Sequence, residues 1–216
     1  MWLGLKRSRF NPGLTIEVET PSLDEVDAKD LLKYDLIFIT GHCLKNPWVL
    51  SEGERSKLEH YLENGGTIWI DQCGNDGGPR APNLIIRNFP VPFEWKEVFP
   101  WSHFLLRQRI VTKHPLVDGS LCYEIKFPSL LGCPRLPWTA EVLLEELDER
   151  YKVLVEDAKH HPTIVFAEGI GKGGKVLITS YDFACSIHAW YDFIGIKYDP
   201  QDLMFAYNVL LWAKKK

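Results

Sequence analysis

The stretch Ser51 to Gly74, SEGERSKLEHYLENGGTIWIDQCG, decides how the chain is read. Ser51 and Glu54 have the spacing of a capping box, which satisfies two of the amide donors left over at a helix start. Leu58, Tyr61 and Leu62 follow at helical spacing and give the helix a narrow apolar face. Gly65-Gly66 stops it. Thr67 to Asp71 (TIWID) is then a short strand too uniformly apolar to face solvent, and the chain must turn at Asp71-Gln72-Cys73-Gly74. Ligands and nucleophiles of α/β folds stand at the C-terminal ends of strands, so Cys73 is the first residue to test as a reactive group.

Upstream, Asp35 to Thr40 (DLIFIT) is an apolar run ending in Gly41-His42, the pattern of a buried parallel strand. With the helix and TIWID it predicts a right-handed βαβ unit. Leu14 to Val18 (LTIEV) reads as another strand, and Ser22 to Tyr34 as a helical turn or short helix. Downstream, Gly74 to Pro137 is rich in Gly, Pro and aromatics, with short helices expected near Phe93 to Phe99 and Ser102 to Leu106. Such a long irregular stretch reads equally as a functional lid or binding surface and as an aromatic cap on the sheet edge.

Regular structure returns from Glu141. Lys152 to Glu156, Thr163 to Ala167 and Lys175 to Thr179 read as strands. Asp199 or Asp202 caps a final helix, Leu203 to Lys214, apolar on most faces and so largely buried. The run Gly169 to Gly174 (GIGKGG) imitates a phosphate-binding loop, yet Val176 stands where a Ser or Thr would bind magnesium and strands flank it on both sides. A hairpin turn is the better reading.

The chain has 216 residues, enough for one well-buried core, and the expectation is a single α/β domain over 1–216. Formal net charge is -4 and no basic stripe interleaves with aromatics, which argues against a nucleic-acid partner. The five cysteines have no paired spacing, so a reducing compartment fits better than a disulfide framework. With no signal peptide and no run of membrane-spanning length, the expectation is a soluble cytoplasmic protein.

Several side chains bear on chemistry. Cys73, past a buried strand, would gain backbone amides that can hold an oxyanion, though a small buried residue is the commoner outcome. Its base would be His42, ending the DLIFIT strand, or His188, following the KVLIT strand. His114 and His161 each precede proline and read as turn residues. Asp71 and Asp182 end apolar strands and could converge with His42 to orient a base, hold a divalent metal or hydrogen-bond loop amides. Metal is the weak reading of that set, and no metal or cofactor is expected. Trp101 and Trp190 are candidate pocket walls.

In order, YDLIFITGH, LSEGERSKLEHYLENGGTIWIDQCG, Phe99-Pro100, His114-Pro115, GKVLITSYDFACSIHAW and Ala206 to Val209 resemble the class I glutamine-amidotransferase-like superfamily. More narrowly, they resemble an uncharacterised bacterial branch of it, a domain of unknown function. The resemblance implies a flavodoxin-like three-layer sandwich, a mainly parallel sheet with helices on both faces, here with an irregular aromatic-rich insertion over about residues 74–137. It implies that Thr67 to Asp71 is the strand carrying the nucleophile in true amidotransferases. Their G-x-C-x-G motif and late His and Glu are not reproduced: Asp71 and Asn75 replace the glycines, and Asp182 and His188 stand late instead. The family normally opens with a strand and helix before the segment matching LTIEV, and here only Met1 to Pro12 is available, so either that first unit is lost or the sequence begins inside the domain.

The expected function is therefore non-catalytic binding of a small molecule or protein partner at the C-terminal sheet edge, through Asp71, Asp182, Trp101 and Trp190, with association into a larger complex. One alternative is a cysteine hydrolase or amidase using Cys73 with His42 or His188. Another is a protein-interaction module presenting the aromatic segment from Pro90 to Phe104.

Overall fold

A computed structural model describes residues 5–6, 8–40, 48–71, 86–98, 108–126, 141–158, 160–180 and 200–214. His42, Cys73, Trp101, Asp182, His188 and Trp190 lie outside the described residues.

The βαβ unit read from the sequence is present. Strand β1 (Leu36–Thr40) pairs in parallel with β3 (Thr67–Asp71). Between them come the two-residue strand β2 (Trp48–Val49) and helix α2 (Glu52–Glu63), which follows the short α1 (Ala28–Leu31). The capping box forms as expected: Ser51 Oγ accepts from the Glu54 amide at 3.2 Å, and the Ser51 amide donates to Glu54 Oε2 at 2.8 Å. β1 departs from the expectation of full burial. Among the described residues it is the terminal strand of the sheet, and most of it is only half-buried.

The main sheet has six strands in the order β1-β3-β10-β9-β8-β6, where β6 is Arg109–Ile110, β8 Lys152–Glu156, β9 Pro162–Ile170 and β10 Gly174–Thr179. β1, β3 and β10 run parallel, whereas β9, β8 and β6 each pair antiparallel with their neighbour. The sheet is thus mixed rather than mainly parallel. Short connections account for two of these pairings, β8–β9 and β9–β10, since a tight turn can join only antiparallel neighbours. β9 and β10 are joined across 171–173, and β8 and β9 across 157–161. An apolar strand reads the same in either direction, so the composition of KVLVE and TIVFA carried no sign of it.

Two small sheets complete the described strands. β2 pairs in parallel with β4 (Ile86–Arg87), and β5 (Glu94–Val98) pairs antiparallel with β7 (Glu141–Glu145). The helix expected near Phe93 to Phe99 is therefore a strand from Glu94 to Val98. Leu14 to Val18 joins no sheet among the described residues. Just before it, the Asn11 side chain closes a local turn, accepting from the Leu14 amide at 2.7 Å and donating to the Leu14 carbonyl at 3.0 Å.

The period of two along the central strands divides the core. Ile68, Ile70, Val176, Ile178, Val165 and Ala167 cluster with Leu58, Tyr61 and Leu62 of α2. The alternate residues Trp69, Leu177, Ile164 and Phe166 cluster with α3 (Pro200–Ala213) through Leu203, Phe205, Ala206, Tyr207, Val209 and Trp212. Asp202 lies inside the first turn of α3, not at its cap.

The glycine run earns its place by packing. Gly171 has φ +53°, and a Cβ there would meet the Glu63 carbonyl oxygen at 2.5 Å. A Cβ at Gly174 would lie 2.0 Å from the Leu62 carbonyl oxygen. The β9–β10 turn is thereby seated on the last turn of α2, where the Lys172 amide donates to the Glu63 carbonyl at 2.8 Å. Glycine is needed here for close backbone approach rather than for phosphate.

Candidate functional site at the C-terminal ends of the parallel strands

Thr40, Asp71 and Thr179 occupy one rung at the C-terminal ends of β1, β3 and β10. Asp71 and Thr179 share the parity of Trp69 and Leu177, so they face α3. Both are 0 % exposed. A carboxylate without water must be hydrogen-bonded to be tolerated, and Thr179 supplies one bond: its Oγ1 lies 2.7 Å from Asp71 Oδ1. The indole N–H of Trp69, which can only donate, reaches the same Oγ1 at 3.0 Å. The Ile70 carbonyl is a poorer acceptor for the threonine at 3.5 Å. The hydroxyl proton therefore goes to the carboxylate, and the order of donation is Trp69 to Thr179 to Asp71. Trp69 is itself fixed by edge-to-face contacts with Phe38 and Phe205, at centroid separations of 5.0 and 6.4 Å.

Polar groups continue along this end of the sheet. The Ser180 hydroxyl and amide both donate to the Thr163 carbonyl, at 3.1 and 3.0 Å. The Thr163 hydroxyl donates to Gln108 Oε1 at 2.8 Å. Beyond them Asp157, also buried, braces the 157–161 turn by accepting from the His161 amide at 2.9 Å, with the imidazole Nδ1 3.0 Å away. His161 is thus the turn residue its position before proline implied.

α3 reaches this end as well. Trp212 contacts Glu168 on β9, whose partner Lys175 is the second residue of β10, while Phe205 contacts Trp69 in mid-strand. At 1.5 Å per residue, the helix direction carries buried Asp202 toward the Asp71 end. Asp71 is the one predicted site residue that the described residues include, and Thr179, backed by Trp69, hydrogen-bonds to it. Sequence reading missed both, because a threonine ending a strand and a tryptophan inside one look like ordinary strand formers.

A second cluster lies at the opposite end of the same sheet face. His114 is 6 % exposed and its ring stacks on Phe166 at 4.1 Å. Its Nδ1 accepts from the Leu116 amide at 3.2 Å, which assigns the proton to Nε2, 3.5 Å from Glu168 Oε2. The Trp212 indole donates to the other Glu168 oxygen at 2.8 Å. The His114 contact, assisted by Trp212 and opposed by burial, holds the Glu168 carboxyl below its ordinary value of 4.5. With Nδ1 occupied as an acceptor, His114 is a brace rather than a base. Among the described residues no group of three or more His, Cys, Asp and Glu could hold a metal ion, and no helix is long and apolar enough to cross a membrane.

The chain is similar in fold to several solved structures. Cytoplasmic protein STM3548 from Salmonella typhimurium matches at 18 % identity and TM-score 0.54, over 88 % of this chain and 76 % of its own. The mmIFT52 N-terminal domain matches at 14 % identity and TM-score 0.54, over 89 % and 82 %. Cytoplasmic protein STM1381 from Salmonella typhimurium LT2 matches at 17 % identity and TM-score 0.51, over 87 % and 75 %. At these identities the likeness is one of fold alone. No curated protein matches the chain. The profile of one family does match, over residues 9–192, and the chain belongs to that family, the domain of unknown function DUF4159.

Proposed function

We propose that this protein is a binding domain of amidotransferase-like, three-layer flavodoxin-like architecture. Its ligand site would lie at the C-terminal ends of β1, β3 and β10, and the domain would work in the cytoplasm without chemistry of its own. The observation that carries the reading is the buried carboxylate of Asp71 on that rung. Removing a carboxylate from water costs several kcal/mol even in a favourable setting, and the neighbouring residues of β3 show that the core accepts apolar groups. A carboxyl group kept buried at the sheet end where α/β folds place ligands is best accounted for by what it holds there.

Asp71 acts from beneath, as the anchor of the site. Its face would be supplied by groups two or three residues beyond the strand ends in sequence: His42 after Thr40, Cys73 after Asp71, Asp182 after Thr179. Trp101 and Trp190 are proposed as apolar walls. The occupant is a small molecule or a segment of a protein partner.

A thermal-shift screen of amides, amines and carbonyl compounds, L-glutamine included, tests the reading. Compounds that raise the melting temperature of the wild type and leave Asp71→Asn unmoved support it. Equal shifts in the two proteins contradict it. Fast iodoacetamide alkylation of Cys73, slowed by His42→Ala or His188→Ala, would instead make the same edge a cysteine hydrolase site.

A further inference from the structure

We infer that Thr179, backed by Trp69, is a positioning residue of this site: the pair fixes the Asp71 carboxylate as an acceptor in one orientation. The inference rests on the proposed site but assigns roles to residues that do not form its face. Its basis is the ordered donation described above. An indole N–H cannot accept, so Trp69 commits the Thr179 oxygen to accepting and turns the hydroxyl proton toward Asp71 Oδ1, 2.7 Å away. All three side chains are fully buried, where water offers no competing partner and neighbouring hydrogen bonds reinforce one another. Strand register adds rigidity, because Thr179 and Asp71 are direct neighbours on β10 and β3. A carboxylate held in this way meets donors only, so the group it steadies at the site carries an N–H, an O–H or a positive charge.

A purely packing role for Thr179 makes a different prediction, since valine has the same shape without the hydroxyl. The test uses the full chain and two readouts. The first is the Trp69 indole N–H resonance, assigned by its loss in Trp69→Phe. In Thr179→Val its hydrogen exchange should accelerate about tenfold, the worth of one hydrogen bond. Thr179→Ser should restore it, and Asp71→Asn should shift the resonance from the far end of the chain of bonds. The second readout is the iodoacetamide rate at Cys73 relative to that at exposed Cys122 in the same molecule. That ratio should change in Thr179→Val and in Trp69→Phe, whose ring stays, and return in Thr179→Ser.

An unchanged indole in Thr179→Val, or failure of serine to restore it, overturns the inference. So does a change confined to the indole with the Cys73 ratio constant, because the bonds would then serve packing alone. The ligand-site reading fails on a separate result, equal compound shifts in wild type and Asp71→Asn, so the two failures are distinguishable.

Discussion

His114 and Glu168 form a buried-to-surface contact, 3.5 Å from Nε2 to Oε2, that ties the 114–118 turn to β9 beside the end of α3. Because the folded-state carboxyl of Glu168 titrates below its ordinary 4.5, the contact contributes stability above that value. The contribution is lost as pH falls through the lowered folded-state value. Glu168→Gln should therefore be less stable than the wild type at neutral pH in urea denaturation. The gap should narrow once the pH drops below 4.5 and close in stronger acid. A gap independent of pH would contradict the assignment.

The seating of the β9–β10 turn on α2 gives a steric prediction. In Gly174→Ala the new methyl meets the Leu62 carbonyl oxygen at 2.0 Å, and a helix backbone cannot retreat as a side-chain tip can. Overpacking of this kind costs about 1–3 kcal/mol or more. A denaturation midpoint equal to that of the wild type would show that the turn does not bear on the helix.

Asn208 faces the loop before β7 from the middle of α3. Its Nδ2 donates to the Leu116 and Tyr123 carbonyls at 2.9 and 2.7 Å, and its Oδ1 accepts from the Tyr123 amide at 3.0 Å. Asn208→Leu leaves these backbone groups without the side chain that satisfied them and should cost about 3 kcal/mol. Asn208→Asp keeps the acceptor and loses both donors, so it should not rescue. A cost under about 1 kcal/mol in either variant would mean water replaces the clamp.

What could be read from sequence was what short-range chemistry decides. Ser51, Glu54 and Gly65-Gly66 mark α2 within its own residues, and TIWID has too little polarity to be anything but a buried strand. The same local rules misassigned β5, because a stretch rich in Pro and aromatics with no clear period gives no strand signal until the partner strand Glu141–Glu145 is known. LTIEV alternates like a strand, yet pairing needs a neighbour, and none is offered to it among the described residues. His114 obeyed its local rule in standing before a turn, but Glu168, on a distant strand, determines where its ring goes.

The candidate site divides in the same way. Asp71 was legible because it ends an apolar run, a place where a charge needs a reason. Thr179 was not, since its bond to Asp71 spans 108 residues of sequence. His42, Cys73 and Asp182 rest on their places two or three residues beyond strands whose positions are established, and His188 on a place nine residues past Thr179.

The melting temperature of Asp71→Asn tests the central claim most directly. Asparagine keeps the volume and an oxygen to accept from Thr179 while removing the ionisable carboxyl. If the carboxylate is held for a ligand at a cost to the fold, the variant should melt at or above the wild-type temperature. For a chain of this size, a fall of more than about 6 °C, equivalent to roughly 2 kcal/mol, would show that the fold itself depends on the carboxylate and would contradict the account.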